Sequence, residues 1–280
     1  MEIQNTNGAG FVQGSEKAAK SLNKSNRELN KILQKLSTSL RVNQASDDAS
    51  GLSISEQLRT QIRGFKAASQ NVIDASSALA IAEGTGNEVS AMLQRQRELA
   101  LQASNDTLSD QQRQAIDVEY QNITSEIDRI TGAAQFNTQA VANGQGLGSG
   151  TAQIQAGANA GDQLPIPAIN LNAAALGITG TSVIDRTSAQ EAISKLDSAL
   201  NNLNSQRSTI GSMMNRLEST QNNLSIAEIN TQAAESVLRD QDMALGLAEM
   251  TRQRLMLESG ASALSRFNEI NANNLYGLLK

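Results

Sequence analysis

Apolar residues recur every seven positions near both ends of the chain. Leu22, Leu29 and Leu36 hold that spacing at the start, with Leu33 and Leu40 on the alternate seam position. Toward the end Leu196, Leu203, Ile210, Leu217 and Leu224 repeat it, flanked by Ile193, Leu200 and Met214. The register skips Thr231 and resumes at Leu238 and Leu245. This predicts one helix over residues 188–245, with no proline inside it. The N-terminal stripe fits a coiled coil and an ordinary amphipathic helix equally well. The longer C-terminal repeat requires partner helices along its whole length.

Between these stripes, residues 46–104 read as a third long helical region with Leu58, Ile62, Phe65, Val72 and Leu79 in register and a break near Gly84 and Gly86. Ser109 with Gln112 three residues on fits a capping box that starts a further helix through Ile116, Tyr120, Ile123, Ile127 and Ile130. Residues 139–186 change character. "TAQIQAGANAGDQLPIPAINL" reads as two short strands around a glycine-rich turn, and Pro165 and Pro167 lie two apart, which suits an edge strand. The pattern predicts a mainly α fold: an elongated helical bundle whose coiled-coil-like N- and C-terminal helices pair together, with a small β-hairpin insert.

Composition narrows the chemistry. Aromatic residues make up 2% of the chain against 39% hydrophobic overall, so Leu, Ile, Ala and Met must supply the core, as helices packed at close range do. His and Cys are absent, which removes the usual ligands for zinc, copper and iron and the commonest catalytic base and nucleophile. The reading is of no cofactor and no enzyme. A net charge of −5 argues against nucleic acid or an acidic membrane as partner. The first residues lack the apolar core of a secretory signal peptide, and no window approaches a membrane span.

The adjacent carboxylates of Asp47 and Asp48 invite a metal reading, but Ala49, Ser50, Gly51 and Leu52 follow where a calcium loop needs oxygen ligands. Ser46 is a good N-cap, and two acids in a first turn face the positive end of the helix dipole. Ser46, Asp47, Asp48 and Gly51 are therefore expected to start a helix at a hinge between two helical layers, with Gly51 allowing close backbone packing.

Several stretches resemble the bacterial flagellin family, in the order that family has them. They are "KLSTSLRVNQASDDASGLSISEQLRTQIRG", "LQRQRELALQASNDTLSDQQR", "EIDRITGAAQFN", "NRLESTQNNL" and "ESVLRDQDMALGLAEMTR", with "IQAGANAGDQL" similar to the family's inner-domain hairpin. They cover residues 20–138 and 188–280. The first nineteen residues match the usual start loosely, and the central region is too short for the family's outer, surface-exposed domains, so the chain resembles a minimal flagellin. The hook–filament junction protein, a relative of similar length, is the runner-up; it typically places a proline after the acid pair, and this chain does not.

The resemblance implies a terminal domain of residues 1–45 with 237–280 and an inner domain of 46–236. It implies a secreted, extracellular subunit that polymerises with copies of itself into the flagellar filament. A type III export route, an export chaperone gripping Leu275, Leu278 and Leu279, and filament cap and hook–filament junction proteins as neighbours go with it. Leu29, Leu33, Leu36 and Leu40 are expected to pack against a C-terminal stripe of Leu238, Leu245, Leu255 and Leu264, within and between subunits. If the chain reverses near Thr107, Glu119 comes beside Arg95, with Leu99 on the same helix face as Arg95. Arg95, Leu99 and Glu119 match the family patch that docks onto a flagellin-sensing Toll-like receptor and is buried between protofilament subunits.

Overall fold

The structure is a computed structural model that describes residues 6–145 and 150–278, with side chains described over 14–145, 150–270 and 272. The side chains of Leu275 and Leu278, and Leu279 altogether, lie outside the described residues. The elements run α1 (Thr6–Thr38), α2 (Ala49–Ala103), α3 (Asp110–Ala133), β1 (Gln135–Phe136), β2 (Gln139–Ala140), β3 (Ala152–Gln155), β4 (Gln163–Ile166), α4 (Ala173–Leu176), α5 (Arg186–Arg239) and α6 (Met243–Leu278). Among the described residues no helix is long and apolar enough to cross a membrane. The chain divides into two compact units, Met1–Arg59 with Thr231–Lys280, and Thr60–Asn230.

In the unit of residues 60–230 the seven-residue stripe of α5 is the spine of the core. Leu196, Leu203 and Ile210 are completely buried, and Leu217 nearly so. Leu79, Leu93 and Leu99 of α2 and Tyr120 and Ile127 of α3 complete the same cluster. Small residues alternate with them: Ala82, Ala100, Ala189 and Ala199 are also sealed, which lets the helices approach closely. The predicted break near Gly84 and Gly86 does not occur; α2 runs through both. Each glycine costs a helix about 1 kcal/mol relative to alanine, but buried Ala82 and Val89 anchor the flanking turns. Gly86 lies beside Arg207. A methyl there would touch the Arg207 stem at 3.4 Å, and Arg207 reaches across to Glu83 at 2.6 Å.

Strands β3 and β4 pair antiparallel, with Gln153 opposite Pro165. Ala156 N–H donates to the Asp162 carbonyl at the turn, and ladder bonds alternate along an antiparallel pair. Pro165 thus falls at a position that needs no N–H. The hairpin lies on α2, where the Asn71 side chain donates to the Gln155 carbonyl at 3.1 Å and Gly64 leaves room for Ala158. The sequence pattern missed the tighter β1–β2 pair. Its turn residues Asn137 and Thr138 have φ of 47° and 67°, the conformation of a two-residue hairpin turn usually made with glycine. The short helix α4 was missed as well; Asn172 caps its start and Gly177, at φ 77°, ends it. Two carboxylates on α3 hold this irregular stretch, Asp128 accepting from Ala173 N–H and Asp117 from Val183 N–H.

The other unit is built on α1 packed against α6. The single helix expected over 188–245 is two helices, α5 and α6. After Arg239 the backbone switches partner: Leu40 and Asp240 form a β-bridge, Arg41 N–H donates to the Arg239 carbonyl at 2.7 Å, and Gln241 N–H donates to the Ser39 carbonyl. The Arg41 guanidinium donates to the carbonyls of Val237 and Leu238, satisfying the end of α5. Asp242 then caps α6 by accepting from the N–H groups of Ala244 and Leu245. This unit reaches to Arg59 and back to Thr231, further than residues 1–45 with 237–280. Within it Glu56, in the early turns of α2, is ion-paired with Arg239 at 2.8 Å.

Candidate assembly surface

The seam of α1 that faces α6 includes Leu22, Leu29, Ile32 and Leu36, all half-buried. Across it, Gly246, Met250, Gln253, Leu257, Gly260, Leu264 and Phe267 follow one another at alternating spacings of three and four along α6, as a coiled-coil face does. The expected leucines therefore divide. Leu29, Leu36 and Leu264 lie in the seam, and Leu40 and Leu238 are half-buried at the bridge. Leu33, Leu245 and Leu255 face outward, 44%, 57% and 61% exposed. Choosing leucines by identity missed Ile32, Gly246, Gln253, Gly260 and Phe267. The signal was present, because Gly246, Gln253, Gly260 and Phe267 are themselves seven apart.

Met243, Leu247, Met256 and Ile270 extend the outward apolar set of α6. Two helices have only one mutual face, so apolar positions beyond that face stay in water within a single chain.

The acid pair serves the backbone. Asp48, and not Ser46, caps α2: its Oδ1 accepts from Gly51 N–H at 2.9 Å and from the Ser50 hydroxyl at 2.8 Å. These bonds, the Gly51 amide first, hold the Asp48 carboxyl below its ordinary value. Asp47 Oδ2 accepts from the N–H groups of Asn43 and Gln44, closing the turn before the helix. A methyl at Gly51 would meet the Asp48 carboxylate, which would have to shift to keep the cap. Among the described residues no cluster of three or more acids is placed to hold a metal ion.

The reversal between α2 and α3 puts Arg95 beside Glu119, with Nη2 and Nε donating to Oε1 at 2.9 and 3.2 Å. Glu98 accepts from Arg95 as well. Leu99 is only 2% exposed and belongs to the core of its own unit, so it does not stand beside Arg95 on the surface. What fixes the reversal is Arg113, which the sequence pattern did not single out. Its buried guanidinium donates to the carbonyls of Ala103 and Asn105 at the end of α2. The Ser109–Gln112 capping box starts α3 opposite it. Gln96, one residue past Arg95, is fully buried and donates to the Tyr120 carbonyl and the Thr124 hydroxyl.

Known proteins fit this architecture. Residues 13–147 match the bacterial flagellin N-terminal helical region and residues 193–278 the bacterial flagellin C-terminal helical region. A flagellin of Halalkalibacterium halodurans is 42% identical over 85% of this chain and 88% of its own. The flagellar filament 31.3 kDa core protein of Treponema maltophilum is 36% identical over 89% and 92%. The crystal structure of Bacillus cereus flagellin superposes with a TM-score of 0.51 at 33% identity, covering 55% of this chain and 88% of that one. With both helical regions matched in order and these relatives spanned nearly end to end, the chain belongs to the bacterial flagellin family.

Proposed function

We propose that Leu33, Leu245 and Leu255 are contacts between subunits, and that Leu29, Leu36 and Leu264 hold each subunit's own helix pair. The chain is a structural subunit that polymerises into the bacterial flagellar filament; the junction-protein alternative is not favoured. The carrying observation is the run of outward leucines and methionines on a unit that one chain cannot cover. Burying each such side chain contributes about 1.5–3 kcal/mol, and a polymer repeats the gain at every subunit.

The finer reading follows from that role. The filament lies outside the cell, and the subunit reaches it through the flagellar type III channel as an unfolded chain. An export chaperone covers the C-terminal segment beforehand, and cap and junction proteins bound the polymer. The protein acts as a building block and not as an enzyme. For the receptor patch, Arg95 and Glu119 are the surface groups a flagellin-sensing Toll-like receptor would meet, with Leu99 supporting them from beneath.

The test is elongation. A Leu255→Asp subunit should keep the parent's far-UV circular dichroism and fail to extend filament seeds in a sedimentation assay. Extension at the parent's rate would overturn the assignment.

A further inference from the structure

Helix α1 has two contrasting faces. Leu22, Leu29 and Leu36 lie on the side turned to α6. Lys17, Lys20, Lys24, Arg27, Lys31 and Lys35 follow one another at spacings of three and four. At about 100° per residue they share an arc of about 80° on the opposite side. Lys17, Lys20, Lys24, Arg27 and Lys31 are exposed, and Lys35 is half-buried. Glu16 and Glu28 border the stripe, one on each side. Neither pairs with it, because the ion pairs among the described residues all lie elsewhere.

The chain's net charge of −5 conceals this concentration. Residues 60–230 hold ten Lys and Arg against sixteen Asp and Glu, whereas Thr6–Thr38 holds six against two. Like charges one turn apart repel, so six of them on one face oppose the helix that carries them. An anionic partner removes that cost.

The residue types indicate which anion fits. Five of the six cations are lysines, and no aromatic residue stands between positions 17 and 35. Protein interfaces are depleted in lysine and favour arginine and aromatic residues at their centres. Nucleic acids are gripped by arginine forks and, where single-stranded, by stacked aromatic rings. A layer of lipid headgroups requires neither. It is a flat sheet of negative charge that compact ammonium groups approach from any angle. The stripe is about 27 Å long on one straight helix face, so its cations reach such a sheet together.

We propose that the cationic face of α1 binds an anionic lipid surface. The face points away from α6, so attachment leaves the helix pair intact. It is a property of the single subunit and does not depend on the contacts between copies. On the export reading above, it holds the waiting subunit at the membrane that the channel spans.

Flotation of dispersed, full-length protein tests this, using vesicles of equal parts phosphatidylglycerol and phosphatidylcholine against vesicles of phosphatidylcholine alone. The parent should float with the first and not with the second. Raising salt from about 0.05 M to about 0.5 M should release it, as screening shortens. Lys20→Gln with Lys24→Gln and Lys31→Gln should weaken binding at least about tenfold, while Lys→Arg at the same three positions should preserve it. Arg63→Gln with Lys195→Gln and Arg216→Gln removes the same charge from exposed sites of the inner unit and should leave binding unchanged. Four outcomes would overturn the proposal: no flotation of the parent, equal flotation with neutral vesicles, undiminished binding by the Lys→Gln triple, or an equal loss in the inner-unit triple. If the parent ignores vesicles, stripe-dependent binding of a random DNA duplex would assign the face to nucleic acid, and stripe-dependent self-association would assign it to a second copy.

Discussion

The two units of this chain use one seven-residue repeat to different ends. In the inner unit the repeat of α5 meets helices on several sides, and Leu196, Leu203 and Ile210 vanish from the surface. In the terminal unit, among the described residues, the repeats of α1 and α6 meet each other; their seam residues stay half-buried and Leu245 and Leu255 face water. Heptad spacing therefore specifies that a helix needs partners, and the number of partners within the chain decides whether the folded unit is complete. The inner unit buries its own repeat, although Ile73, Leu101, Val118 and Ile226 stand exposed on it. The terminal unit leaves Leu33, Leu245 and Leu255 in water, the surface proposed above for further copies of the chain.

That contrast is open to breakage by substitution, and the largest effect falls in the inner unit. Leu203→Ala empties a fully buried site and should cost about 2–5 kcal/mol, read from urea unfolding by circular dichroism. Leu257→Ala, at a half-buried seam position of α6, should cost the dispersed subunit much less. Equal losses would mean that the terminal pair is as complete as the inner core.

A smaller change, of opposite sign, tests the hairpin that the pattern missed. Thr138 is β-branched and held at φ 67°, a conformation that glycine adopts freely. Thr138→Gly should stabilise the inner unit by about 1 kcal/mol. Destabilisation would mean that the threonine side chain contributes more than its backbone strain removes.

Acid should act on the start of α2 in a defined direction. The folded Asp48 carboxyl lies below its ordinary value, so its contribution is fully present above the ordinary carboxylate range and is lost as pH falls through the lowered folded value. Asp48→Asn keeps an acceptor for the Gly51 amide and should flatten the fall in stability below pH ~4. An unchanged acid limb would show that this cap does not contribute to it.

The smallest expected effect is at Arg95. Its ion pair with Glu119 joins side chains 53% and 50% exposed, and water screens such a pair almost completely. Arg95→Ala should leave the melting temperature unchanged, while Leu99→Ala should lower it by several degrees. In a receptor reporter assay Arg95→Ala should lose potency with its fold intact, which separates recognition from stability.

By itself the sequence determined the helical class, the pairing of the chain's two ends, the capping box at Ser109, a hairpin within residues 151–171 and the meeting of Arg95 with Glu119. The pairing of the ends follows from the order of the elements, and the others from short-range spacing, turn chemistry or a counted chain reversal. Tertiary structure decided the rest. Helix α5 ends at Arg239 because Leu40 and Arg41 compete for its backbone, a contact between segments about 200 residues apart. Helix α2 passes through Gly84 and Gly86 because packing on either side outweighs their weak propensity. Which leucines line the α1–α6 seam depended on glycines, a glutamine and a phenylalanine that hydrophobic pattern alone underrates. Close packing selects shapes, and a shape shows only when the facing surface is present.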